Sequence, residues 1–77
     1  DKETLDSLTK IEKHLAAAAE THKTLHAECG KDSVDGHVCA HCCSQITKDL
    51  EKAMAEHAAL MRRLELAEKD VPKKQDE

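Results

Sequence analysis

Two long stretches in which apolar side chains return every three or four residues, parted by a short polar segment bounded by glycines, leave this chain few choices other than a pair of helices. In the first stretch Leu5, Leu8, Ile11, Leu15, Ala18, Ala19, His22, Leu25, His26 and Cys29 share one stripe, the signature of an amphipathic helix. Asp1, Glu3 and Asp6 suit the positive end of its dipole, and the run Ala16 to Ala19 has the best helix propensity available. Gly30 follows at the position of a C-terminal cap. The pattern resumes at His37 through Cys39, Cys42, Cys43, Ile46, Leu50, Ala53, Met54, His57, Leu60, Met61, Leu64 and Ala67. Pro72 limits it by disfavouring helix at the residue before it.

The spacing therefore predicts an all-α antiparallel helical hairpin within residues 1–70: a helix over 3–29, a turn over 30–36 and a helix over 37–70. Ser33 and Asp35 are both suited to cap the second helix. Residues 71–77 are charged and aperiodic and read as a disordered tail. At about 1.5 Å per residue the helices are roughly 35 to 50 Å long. Leu50, Met54, His57, Leu60 and Leu64 span a sector wider than a two-stranded seam requires, so the hairpin is expected to dimerise into a homodimeric four-helix bundle.

Composition bears on how such a hairpin is held together. The 77 residues include no Phe, Tyr or Trp, so the core is assembled from aliphatic side chains and alanine without the large burial that rings supply. A chain this short commonly needs a staple, a metal or a partner. Charged residues make up 36% with both signs mixed and a net charge of -4, which excludes the basic, aromatic-studded surface of a nucleic-acid binder. No apolar run approaches the roughly 18 residues of a membrane span.

The stretch from His22 to Cys43 holds all 4 cysteines of the chain and most of its 6 histidines. Advancing about 100° per residue turns His22, His26 and Cys29 towards the stripe of the first helix, and Cys39, Cys42 and Cys43 towards that of the second. His37 and His41 fall away from it and are expected to face solvent. A hairpin folded about Ser33 and Val34 sets Cys29 beside Cys39 and His26 near Cys42. Zinc takes four N and S donors in a tetrahedron, and helical spacings of three or four present ligand pairs on one face. Two sets fit: His22 and His26 with Cys39 and Cys42, or His26 and Cys29 with Cys39 and Cys42. The second lies wholly at the turn and is preferred, with His22 and Cys43 in reserve. Zn2+ is the expected ion and Cu+ its rival, because a thiolate-rich pocket favours soft ions. The role would be structural, or the ion would be cargo to be buffered, sensed or passed to a protein partner.

Two other chemistries compete for the same cysteines. In an oxidising compartment Cys29 could bridge to Cys39, Cys42 or Cys43, giving a disulfide-stapled interaction module that is periplasmic or secreted; metal-binding thiols imply the cytoplasm. The Cys39-Ala40-His41-Cys42 segment has the spacing of a thiol redox centre, but the strand that precedes such a motif in thioredoxin-like proteins is missing here. His57 reads as a core or interface histidine, and Met54 and Met61 as core fillers. There is no triad, phosphate loop or inward carboxylate pair, so the chain is not expected to be an enzyme.

Overall fold

The fold is described by a computed structural model covering residues 1–70, with side chains through Leu66. Helix α1 spans Lys2–Cys29 and helix α2 spans Gly36–Asp70, and the two run antiparallel against each other. The tail expected at 71–77 lies outside the described residues. Both helices begin as their sequences predict. The Asp1 carboxylate accepts from Thr4 N at 2.8 Å and caps α1, and Asp35 Oδ1 accepts from His37 N at 2.9 Å at the start of α2. Of the two candidates, Asp35 is the cap.

Gly30 ends α1 in a right-handed conformation, φ -83° and ψ -4°, its N–H shared between the carbonyls of His26 and Ala27. The glycine thus stands where a cap is expected without using the left-handed freedom for which glycine is usually chosen there.

Burial follows a seven-residue repeat. In α1 the positions turned towards α2 are Thr4, Ser7, Ile11, His14, Ala18, Thr21, Leu25 and Glu28; in α2 they are Cys39, Cys42, Ile46, Asp49, Ala53, Glu56 and Leu60. Alternating steps of three and four are the a and d positions of a coiled-coil seam. Ile11, Ala53 and Leu60 form its buried cluster, and Ala18 and Cys42 complete the buried apolar set. Among the described residues no side chain is less than 2% exposed, in keeping with the lack of aromatics. Burying Ile11 and Leu60 stabilises the pair by about 1.5–3 kcal/mol each.

Two of the seam's polar side chains have partners within the helix or across the pair. Thr21 Oγ1 donates to the Ala17 carbonyl at 3.1 Å, and near the open end Arg63 Nη2 donates to Ser7 Oγ at 2.6 Å. Among the described residues, no buried side-chain nitrogen or oxygen lacks a partner.

Many of the larger aliphatic side chains lie outside the seam. Leu8, Leu15, Leu50 and Leu64 are exposed, and Leu5, Met54 and Met61 are 62%, 69% and 58% exposed. The single inward stripe expected for each helix is thus two adjacent stripes, of which the hairpin closes one. The closed stripe alternates Ile11, Leu25, Ile46 and Leu60 with small or polar residues, while the neighbouring stripe is left exposed.

Candidate metal centre

Cys29 is the last residue of α1 and Cys39 lies in the first turn of α2. The Glu28 carboxylate, almost completely buried, holds the intervening loop: Oε1 takes the Lys31 ammonium at 2.8 Å and Oε2 accepts from Asp35 N at 2.9 Å. The hydrogen bond from Lys31, followed by that from the Asp35 N–H, holds the Glu28 carboxyl below its ordinary range. The same contact raises the Lys31 amine above its own.

With the loop clamped, the Cys29 and Cys39 Sγ atoms stand 4.0 Å apart. Burial pushes the Cys39 thiol above its usual pKa, and the Cys29 hydrogen bond and the nearby Cys29, Glu28 and Cys42 groups add to the rise. Cys42, one turn further along α2, is buried on the seam. All four cysteines are free thiols.

The remaining candidates are placed differently from expectation. Helical phase predicts His22, His26, Cys29 and Cys43 in one inward sector with Cys39 and Cys42, yet these four are exposed, while Cys39 is half-buried. Cys29 and Cys43 each follow a buried seam residue, Glu28 and Cys42, by one step of about 100°, which carries them onto the flank beside the seam. Among the described residues, no group of three or more His, Cys, Asp or Glu side chains is gathered so as to hold a metal ion. The convergence within one hairpin is the Cys29 and Cys39 pair.

His37 and His41 are exposed, as their phase requires. His41 borders an open groove on the opposite flank with Glu20, Thr21, Thr24, Cys42 and Gln45. His57, expected in the core or an interface, is exposed, and His14 is half-buried on the seam. The Glu28 clamp escaped sequence reasoning because a glutamate in a last helical turn reads as a surface residue. The available signal was the recurrence of Ser7, His14, Thr21 and Glu28 at intervals of seven, a polar line running through the seam.

Comparison with family models, with curated proteins and with solved structures gives no match for the chain.

Proposed function

We propose that the turn end of this hairpin is a thiol metal centre for Zn2+ or Cu+, in a structural or metal-handling protein that works as a homodimeric four-helix bundle. The observation that carries the reading is the 4.0 Å separation of the Cys29 and Cys39 sulfurs. With Zn–S bonds near 2.3 Å, neighbouring sulfurs of a tetrahedral site lie about 3.8 Å apart, so the pair stands close to one edge of such a site. Cys42 and His26 are the nearest further donors along the two helices, with His22 and Cys43 beyond them. A bound cation reverses the local electrostatics: it favours the Cys39 thiolate that burial otherwise opposes, and binding releases thiol protons. The exposed second stripe supports the dimer, since that much unpartnered aliphatic surface marks an association site.

The same sulfur pair favours one other reading, a Cys29–Cys39 disulfide pinning the hairpin in an oxidising compartment. Redox catalysis through Cys39 and Cys42 is less well supported. Its nucleophile needs a lowered pKa and access, whereas the Cys39 pKa is raised and Cys42 is buried.

Elemental analysis of the purified protein, with thiols counted before and after chelator and before and after reductant, separates the two. The metal reading expects bound metal and thiols unmasked by chelator. Thiols released only by reductant, with no metal present, refute it. Cys39→Ser is expected to abolish binding and lower helicity, and His41→Ala to change neither.

A further inference from the structure

One hairpin brings two sulfurs together, and a tetrahedral ion takes four donors. Cys42 is turned the wrong way to supply a third. One flank of the hairpin carries a groove lined by Glu20, Thr24, His41 and Gln45, each of which precedes a seam residue, and by the seam residues Thr21 and Cys42 themselves. Cys42 therefore leans towards that flank. Three residues advance about 300°, which places Cys39 about 60° round from Cys42, on the other side of the seam. Cys29, which follows the seam residue Glu28, lies on that other side as well. The sulfur pair thus opens onto the flank made by residues that follow seam positions. His26 belongs to this flank too, but it is turned about 60° further from the seam than Cys29 and lies nearly one turn deeper.

This flank is also the one that the hairpin leaves short of charge. Among the residues that follow a seam position, from Leu5 to Cys29 in α1 and from Ala40 to Met61 in α2, Glu12 is the only one with a formal charge at neutral pH. Leu5, Leu8, Leu15, Leu50, Met54 and Met61 all belong to this set, and all are exposed. Residues that precede a seam position include Asp6, Lys10, Lys13, Lys48 and Lys52. The flank of following residues is roughly 35 Å long and two helices, or about 20 Å, wide, close to the roughly 800 Å² that each partner covers in a standard interface.

We infer that a second copy of this chain docks on this flank with its turn at the same end, and that one Zn2+ is held between the copies by Cys29 and Cys39 of both. The inference rests on the metal reading above and adds to it the partner and the missing half of the ligand set. A two-fold axis parallel to the helices makes the interface isologous and sets α1 of one copy beside α2 of the other, antiparallel as within the hairpin. It carries each sulfur pair, separated by 4.0 Å, onto its counterpart, so an ion on the axis has two opposite edges of a tetrahedron around it. The reverse orientation would leave the two pairs at opposite ends of the bundle, roughly 35 Å apart.

It would also set the leucines of the open end against His22, His26 and Cys29, whereas the two-fold along the bundle lets leucine meet leucine and thiol meet thiol. Cys43, four residues beyond Cys39 and about 6 Å deeper along α2, stands in the next turn, outside the ligand set. An all-thiolate tetrahedron is a common structural zinc site. Each S–H bond lost is replaced by a Zn–S bond, and its proton passes to bulk solvent.

The test is sedimentation equilibrium of the reduced chain with and without Zn2+, with metal content measured alongside, on wild type, Cys29→Ser and Leu15→Glu. Both substitutions alter exposed positions, and circular dichroism checks that helicity is kept. Wild type is expected to bind one Zn2+ per two chains, and the ion to lower the dimer dissociation constant at least about tenfold. Cys29→Ser is expected to dimerise without that linkage. Leu15→Glu, which sets a charge in an apolar face, is expected to weaken the metal-free dimer at least about tenfold. One ion per chain, an ion that leaves the dimer constant unchanged, or binding of Cu+ alone in an anaerobic repeat overturns the shared zinc site and leaves the metal reading standing. Linkage retained in Cys29→Ser overturns the ligand pair, and an unchanged dimer in Leu15→Glu overturns the docking face. Binding of neither ion defeats both the shared site and the metal reading.

Discussion

Along the seam the hairpin buries Ile11, Ala18, Ala53 and Leu60 beside Ser7, Glu28 and Cys42; one residue further round each helix, Leu8, Leu15, Leu50 and Leu64 stand in the open. The closed surface is the more polar of the two and the open one the more aliphatic. The seam's stability is concentrated in the few layers around Ile11, Ala53 and Leu60, while its small and hydrogen-bonded members contribute little each. The open flank holds most of the unspent hydrophobic area. A chain without aromatics has divided its aliphatic residues between a surface that shapes the hairpin and one left exposed.

The contrast can be broken most forcefully at the seam. Leu60→Ala, or Ile11→Ala, is expected to cost about 2–4 kcal/mol in urea unfolding, by the same amount at every protein concentration, since the seam is internal to one chain. A loss that grew on dilution would move the core of the fold to the interface.

On the flank, Leu15→Ala combined with Leu50→Ala is expected to cost about 1–3 kcal/mol where the chain is dimeric and almost nothing at dilutions where it is monomeric. Thermal melts at several concentrations give the comparison. An equal loss at all concentrations would show that these leucines stabilise the single hairpin.

Acid probes the turn. The Glu28 carboxyl is held below its ordinary value of 4.5 by the Lys31 hydrogen bond and the Asp35 N–H, so near and below that pH the unfolded chain binds the proton more tightly. The stabilisation is complete above the unfolded value and is lost as pH falls through the folded one. Lys31, with its amine raised above 10.5, stays charged throughout this window. Glu28→Gln should flatten the acid limb of the stability curve measured on metal-free protein. An unchanged limb would assign acid sensitivity to other carboxylates.

Smaller effects sharpen the picture at the two ends. Ser7→Ala removes the acceptor of Arg63 and is expected to cost about 1 kcal/mol, read as a lowered urea midpoint. Gly30→Ala should stabilise by about 0.4–1 kcal/mol, because a Cβ there meets only the Ala27 and His26 carbonyl oxygens at 3.6 and 3.7 Å and the backbone is already right-handed. Destabilisation by Gly30→Ala would mean that the turn needs glycine's freedom after all.

The helices, the turn and the meeting of Cys29 with Cys39 could be read from the amino-acid order alone. Period, glycine brackets and an N-cap are local signals, and folding about the middle of a short turn pairs residues on either side of it. Tertiary packing decided which of two neighbouring stripes closes the hairpin, and with it which ligand candidates lie inside. Leu8, Leu15 and His22 recur every seven residues just as Ser7, His14 and Thr21 do, so periodicity cannot choose between the stripes. The choice depends on partners beyond the repeat itself: Ser7 accepts from Arg63 of the other helix, and Glu28 clamps the turn through Lys31 and the Asp35 N–H. That choice buried Cys42 and the Glu28 carboxylate, and left Cys29, Cys43, His22 and His26 on the surface.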